Sequence, residues 1–464
     1  MKKTAIFTVS MCFLLANSFA QKKPEPFKAG DRVVFAGNSI TEAGFYESYI
    51  WLYYMTHFPD RRITVINGGV GGDVAEQIYR RLPGDLLPKK PTKLVVSFGM
   101  NDSKYFEYND AKNPVTEQRR KSFVEESYKS YLKIQDTLLA HPEIKKILMS
   151  SSPYDETVKQ EGSLFKGKWK TMEEITAFQK KAAKAQGWAY VDLFHPMTVI
   201  NKKEQQKDST YTSTGPDRIH PGSAGHLIMA YIFLKDQGLA GKPVADFVVK
   251  AGSPKSLKTE NCTITGIQQK TGALSFDYLA GALPYPVDTV ARVWGNKQIE
   301  TEALSVIPFM QQFSNEQMKI SGLNGKAYLL KIDGQPIARF SGEELKAGIN
   351  LATLHNTPQY RQALQIMDLN SKRKDIEAKF RNYYWIQYDF LYDKGLLFNN
   401  TQEATDTIQA NLATNGWLNA KYGDYEAVRT HGDQLKQQMK SYVDKIYQIN
   451  KPVKHHFELL PLDQ

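Results

Sequence analysis

The first half of this sequence predicts an α/β three-layer sandwich on a five-stranded parallel sheet, and two observations carry that expectation. Across residues 31–239, short apolar runs alternate with amphipathic stretches, and the first three runs end in turns rich in Gly, Asn or Asp. Residues 32–36, 63–66, 94–98, 146–150 and 189–193 each read as a buried strand. The segments between them read as helices; in 124–139 the apolar residues recur at three- and four-residue spacing. Strands separated by helices pair in parallel through right-handed crossovers, which places helices on both faces of the sheet. Ligands of such sheets bind beyond the carboxyl ends of the strands, so the chemistry is sought there.

The pattern changes after about residue 250. Short β-like pieces follow at 262–267, 274–279, 328–332 and 337–340, the last two flanking the hairpin signal Asp333-Gly334. Pro336 disfavours the final piece as a central strand. From about Thr357 helices return. Ile376, Phe380, Tyr384, Tyr388 and Leu391 share one face, as do Leu435, Met439, Tyr442, Ile446 and Ile449. The aromatic stripe reads as core, with a sugar-stacking platform as the competing use. The expected division is a leader at 1–20, a catalytic domain at 21–245, a small β-rich domain at 246–350 and a helical region at 351–464.

The leader has its own signature. Lys2 and Lys3 precede an apolar run over 5–16, and Asn17-Ser18-Phe19-Ala20 offers small residues for cleavage before Gln21. The run is shorter than the about 20 residues of a membrane span, and no later stretch is apolar enough to cross a bilayer. The expectation is a cleaved signal peptide and a periplasmic or secreted protein. Cleavage removes Cys12 and leaves Cys262, which excludes an intrachain disulfide. Cys262 has no acid–base neighbour in its pattern and reads as inert. The net charge of +11 comes from scattered Lys and Arg, a solvated surface rather than a nucleic-acid footprint. With 41% hydrophobic and 23% charged residues the composition is that of a folded globular chain.

Four short blocks fall at the ends of predicted strands. Gly37-Asn38-Ser39-Ile40-Thr41 puts a serine on a strand-to-helix turn, where its hydroxyl is accessible and its N–H joins the free donors of a helix start. The same residues are also ordinary turn and cap chemistry. There is no G-x-S-x-G elbow at Ser39. Asn67-Gly68-Gly69-Val70-Gly71-Gly72-Asp73 lets the backbone turn tightly and bring its N–H groups near a ligand. It lacks the Gly-Lys-Ser/Thr ending and the spacing of a nucleotide loop. Gly99-Met100-Asn101-Asp102 offers the Asn101 carboxamide as a donor. Asp217-Arg218-Ile219-His220-Pro221 sets a carboxylate three residues before a histidine, so one imidazole nitrogen can be held while the other takes a serine proton.

Taken in order, these blocks resemble the SGNH (GDSL-type) hydrolase family over residues 31–239. Its G-D-S, N-x-G-x-x-G, G-x-N-D and D-x-x-H-P blocks map onto Ser39, Gly72, Asn101 and His220, with Asp217 as the triad acid. The resemblance implies a flavodoxin-like sheet, a catalytic triad of Ser39, His220 and Asp217, and an oxyanion hole made by the Ser39 and Gly72 amides and the Asn101 side chain. The chain departs from the family at Asn38, where Asp is usual. A second D-x-x-H-P, Asp192-Leu193-Phe194-His195-Pro196, continues strand five rather than preceding the terminal helix, and His195 is expected to be peripheral. His57, His226, His455 and His456 have no metal-ligand spacing, so neither metal nor cofactor is expected.

The function these residues point to is an exported serine esterase, with acylated carbohydrate as its partner and O-acetyl groups as the esters removed. The G-x-S-I-T and D-x-x-H-P-G-x-x-G-H blocks resemble the acetylesterase branch of the family. A lipid-directed hydrolase (a lysophospholipase or thioesterase) on the same scaffold and a non-catalytic carbohydrate-binding protein are the alternatives.

Overall fold

The structure, a computed structural model, describes residues 21–110, 112–162, 164–253 and 257–462. The leader expected at 1–20, with Cys12, lies outside the described residues. Five strands, β1 (Arg32–Gly37), β2 (Thr64–Gly69), β3 (Lys93–Phe98), β4 (Lys145–Ser150) and β5 (Ala189–Val191), form a parallel sheet in the order β2-β1-β3-β4-β5. Alternation along each strand feeds two cores. Val33, Phe35, Val95 and Met149 pack on one face with the helices Tyr46–His57 and Ser223–Asp236. Val34, Ala36, Val96 and Leu148 pack on the other with Ala75–Arg81, Glu117–Leu139 and Lys168–Ala185. Burial on both faces explains why the strands read as unbroken apolar runs.

β2 runs three residues further than the apolar pattern predicts, into the glycine block. The reason is close packing: a β-carbon on Gly68 would lie 2.7 Å from Leu86 Cδ2, and one on Gly69 would lie 2.2 Å from the Glu42 nitrogen. β5 stops at Val191 because the Leu193 and Phe194 N–H groups turn away to donate to Ser150 Oγ at 2.8 and 3.0 Å.

Two further sheets follow. β6 (Ala245–Lys250), β7 (Lys258–Glu260), β10 (Glu316–Ser321) and β13 (Ile349–Asn350) make one, in the order β13-β10-β6-β7. β8 (Cys262–Lys270), β9 (Ala273–Ala280), β11 (Ala327–Ile332), β12 (Gln335–Ser341) and β14 (His455–Pro461) make the other, in the order β12-β11-β14-β9-β8. Asp333 and Gly334 turn the β11–β12 hairpin at φ 51° and 76°, as a two-residue turn of that twist requires. β12 is an edge strand with a register shift opposite Leu330/Lys331, which is how it tolerates Pro336. β14, contributed by the end of the chain, fills the centre of this sheet between β11 and β9.

The helix Pro358–Trp385 continues into a π-turn, Ile386–Leu391, and lies beside the long helix Gly416–Ile449, which kinks at His431. In the aromatic stripe Ile376, Tyr388 and Leu391 are buried, while Phe380 and Tyr384 are half-buried. Helix Tyr46–His57 is buried at every position. The helical region accounts for its outer side: Asn370 Nδ2 donates to Ser48 O and Oγ, and the Arg373 guanidinium sits 4.8 Å from the Trp51 ring. Among the described residues no helix is long and apolar enough to cross a membrane.

Candidate active site

Ser39 opens a short helix, Ser39–Glu42, at the carboxyl end of β1. Asn38 caps it: its Oδ1 accepts the Ile40 N–H at 3.1 Å. The cap bond needs only an acceptor, which Asn supplies as Asp would. Gly37 admits no side chain, since a β-carbon there would lie 2.2 Å from Thr41 Oγ1.

From the opposite end of the domain comes the loop before helix Ser223–Asp236. Asp217 Oδ1 accepts the N–H groups of Ile219 and His220, both at 2.9 Å, and Oδ2 pairs with His220 Nδ1. The other ring nitrogen, Nε2, lies 2.8 Å from Ser39 Oγ. The Asp217 and His220 side chains are 47% and 42% exposed, so a substrate can reach them. Burial would raise the Asp217 pKa, but the His220 hydrogen bond and charge, with the two N–H groups, outweigh it and hold the acid below its ordinary value. Asp217 is thus a carboxylate at neutral pH. The array has the form in which a hydroxyl can be deprotonated by an oriented imidazole.

The loop is held on two sides by residues the sequence reading did not single out. Arg218 sits at φ 66°, an unusual value for a side-chain-bearing residue, and its buried guanidinium donates to the carbonyls of Asp155, Val158 and Gln160. On the other side, buried Asn296 lies over both flanking glycines: a β-carbon on Gly215 or Gly222 would lie 2.6 or 2.4 Å from its carboxamide. Gln298 Nε2 donates to Thr212 O at 2.9 Å. Neither Arg218 nor Asn296 carries a local sequence signal, because each acts on backbone far away in the chain.

The glycine block meets the serine block directly. Val70 N–H donates to Gly37 O at 3.0 Å, and Asn67 Nδ2 donates to Thr41 O at 2.6 Å. Gly72 has φ 91°, with open space where a side chain would stand. Asn101 Nδ2 donates one hydrogen to Asp73 O at 3.0 Å, beside Gly72, and the carboxamide keeps a second. Asp102 fixes both loops: it accepts from Ala75 N, Gly99 N and Ser127 Oγ at 2.9–3.0 Å.

Both D-x-x-H blocks form an Asp–His pair. His195 Nδ1 lies 2.8 Å from Asp192 Oδ2. The difference lies in the other nitrogen, because it is His220 that bonds Ser39. His226 is buried against the Phe45 and Tyr46 rings, and burial pushes its pKa down to about 3, which leaves it neutral. Burial also pushes the Cys262 thiol up, to about 11, away from a reactive thiolate. Among the described residues no group of His, Cys, Asp and Glu is arranged to hold a metal.

Comparison with known proteins identifies two matched regions. Residues 35–228 match the GDSL-like Lipase/Acylhydrolase family, and residues 364–451 match the diltiazem deacetylase C-terminal helical domain. A gut microbial diltiazem-metabolizing enzyme of known structure is 43% identical over 95% of this chain and 100% of its own, with a TM-score of 0.92. An acetylxylan esterase of Geobacillus stearothermophilus is 24% identical over 225 residues, 45% of this chain and 95% of its own.

Proposed function

Because the chain belongs to the GDSL-like lipase/acylhydrolase family and is a carboxylic ester hydrolase, we propose that it is an exported acetylesterase acting on O-acetylated polysaccharides or oligosaccharides through Ser39, His220 and Asp217. The observation that carries the catalytic part is the unbroken hydrogen-bond series from Asp217 through His220 to Ser39 Oγ. His220 takes the Ser39 proton on Nε2 while Asp217 holds Nδ1–H. Ser39 Oγ attacks the ester carbonyl, and the negative oxygen is met by the Ser39 and Gly72 N–H groups and the Asn101 carboxamide. The alcohol leaves with the proton from His220. Water, deprotonated in turn by His220, then attacks the acyl-serine and releases the acid.

Three observations support an acetylated carbohydrate as substrate. The apolar run over 5–16 behind Lys2 and Lys3 reads as a signal peptide, and export would bring the chain to where glycans are met. The acetylxylan esterase relative is named for such an ester. Trp294 is 90% exposed on the segment that carries Asn296 to the His220 loop, and an exposed indole there offers a stacking face to a sugar. A second reading, hydrolysis of a small acetyl ester such as diltiazem, is favoured by the relative that matches nearly the whole chain.

Both readings predict a steep preference for acetyl along a series from acetyl to decanoyl esters. Acetate release from acetylated xylan and pectin, run beside diltiazem, separates them. Release from a polymer with little turnover of diltiazem supports the carbohydrate reading, and the reverse supports the second. A rate that climbs with acyl length contradicts both in favour of a lipid-directed hydrolase.

A further inference from the structure

The motif blocks leave Glu42 without a task. It stands three residues after Ser39, and its carboxylate turns back over the glycine loop: a β-carbon on Gly71 would lie 2.6 Å from Glu42 Oε2. The next residue is Gly72, whose amide is the one read above as an oxyanion donor. A carboxylate pressed against that loop opposes negative charge developing on the substrate oxygen, and does so more strongly where water is excluded.

The far end of the chain supplies the compensation. Lys421, on helix Gly416–Ile449, donates from Nζ to Glu42 Oε1 at 3.1 Å and to Asn382 Oδ1 at 2.6 Å. The Lys421 and Glu42 side chains are 12% and 18% exposed, so solvent and salt screen the pair little. Other charged groups are near: Asp424 accepts from Asn382 Nδ2 at 2.8 Å and pairs with Lys379. Asp389, on the π-turn, feels both Glu42 and Lys421 and accepts a hydrogen bond from Gln77. Arg81 is committed to Asp73 and Asp85.

We propose that Lys421 is a positioning residue of the esterase site: by fixing the Glu42 carboxylate, it offsets the negative charge that Glu42 brings to the oxyanion side of the site. The proposal rests on the reading of Gly72 as an oxyanion donor. It gives the helical region a part in catalysis as well as in stability.

The test uses full-length Lys421→Met, Lys421→Arg, Glu42→Gln and the Lys421→Met/Glu42→Gln double variant, with kcat and KM measured on 4-nitrophenyl acetate. Lys421→Met lowers kcat about tenfold with KM little changed, since the loss falls on developing charge. Lys421→Arg stays within about twofold of wild type, and the double variant returns to within about twofold because the carboxylate to be neutralised is gone. A double variant as slow as Lys421→Met overturns the proposal, because Lys421 then acts by shape and not by charge. Should Lys421→Met fail to fold by circular dichroism, Glu42→Gln decides: kcat not below wild type supports the proposal, and a tenfold fall overturns it. Fluorophosphonate labelling of Ser39 in the wild type keeps the two readings apart. Absence of label there sinks the catalytic assignment itself, whereas label at Ser39 with unchanged kcat in Lys421→Met sinks the role of Lys421 alone.

Discussion

Arg381 donates from both terminal nitrogens to the two carboxylate oxygens of Asp85, at 3.1 and 3.2 Å, joining side chains 296 residues apart that are no more than 2% exposed. Asp85 also accepts from Arg81 and Lys89. Arg81 in turn donates to Asp73 and, at 2.9 Å, to Gly68 O in the glycine block. Asp85 and Tyr388 stand on two facing π-turns, Leu82–Leu86 and Ile386–Leu391, where Gly84 is so close that a β-carbon would lie 2.2 Å from the Tyr388 hydroxyl. The helical region is thereby wired to the backbone that carries Gly72.

Asp85→Asn keeps the shape of this junction but removes the charge its cations share. Arg81 keeps Asp73, but leaving the buried Arg381 guanidinium without its carboxylate costs roughly 3–5 kcal/mol. Urea unfolding should show that loss, with reduced activity at temperatures where the wild type is fully folded. A loss below about 1 kcal/mol, the worth of an exposed pair, would contradict the description of the junction as a buried network.

Asn101→Ala should lower kcat by about 10²–10³ with a much smaller change in KM, as expected for a donor engaged in the transition state. The measurement is steady-state hydrolysis of an activated acetyl ester. A rise in KM at unchanged kcat would make Asn101 a residue that only ties the loop at Asp73.

The two Asp–His pairs predict opposite outcomes in the same assay. His220→Ala should be nearly inactive, and His195→Ala should retain most activity, since His195 pairs with Asp192 and Ser39 pairs with His220. Reversal of that order would move the acid–base role to the other block.

Glu47 provides a pH test of the packing behind the serine helix. Burial pushes its pKa up to about 8, helped by the nearby Glu377 carboxylate and opposed by a backbone hydrogen bond and by Arg373 and Lys374. A carboxyl with a folded pKa above its unfolded value binds more protons when folded, so its contribution to stability falls as pH rises from about 4.5 to 8. Glu47→Gln retains the acceptor that Asn67 Nδ2 uses at 2.8 Å and carries no charge. The variant should gain on wild type in Tm as pH is raised from 5 to 8. A constant Tm difference across that range would mean that Glu47 is charged in the folded protein throughout.

How much of this could be read from the residues depends on the distance over which each feature acts. The five strands of the parallel sheet, the three blocks at the ends of β1, β2 and β3, and the Asp217–His220 block before helix Ser223–Asp236 are local: apolar runs, glycines that cannot bear a side chain, and a carboxylate one turn from a histidine. The blocks that hold Ser39, Gly72, Asn101 and His220 are legible for that reason. Arg218, Asn296, Lys421 and Arg381 are not, because each is an ordinary polar residue in its own neighbourhood and gains its role from a partner tens to hundreds of positions away. β14 is an intermediate case. His455, Phe457 and Leu459 alternate as a half-buried strand should, yet the strand is short and its partners, β9 and β11, lie more than a hundred residues earlier.

Every catalytic role proposed above depends on Ser39 being the nucleophile. The most direct measurement is mass spectrometry of the protein after reaction with a fluorophosphonate, alongside acetyl-ester hydrolysis by wild type and Ser39→Ala. A nucleophilic Ser39 gives a single adduct on the peptide that contains it, and a Ser39→Ala protein that folds normally but neither labels nor hydrolyses. An adduct on another residue, or a Ser39→Ala protein that turns over the ester at the wild-type rate, would contradict that role.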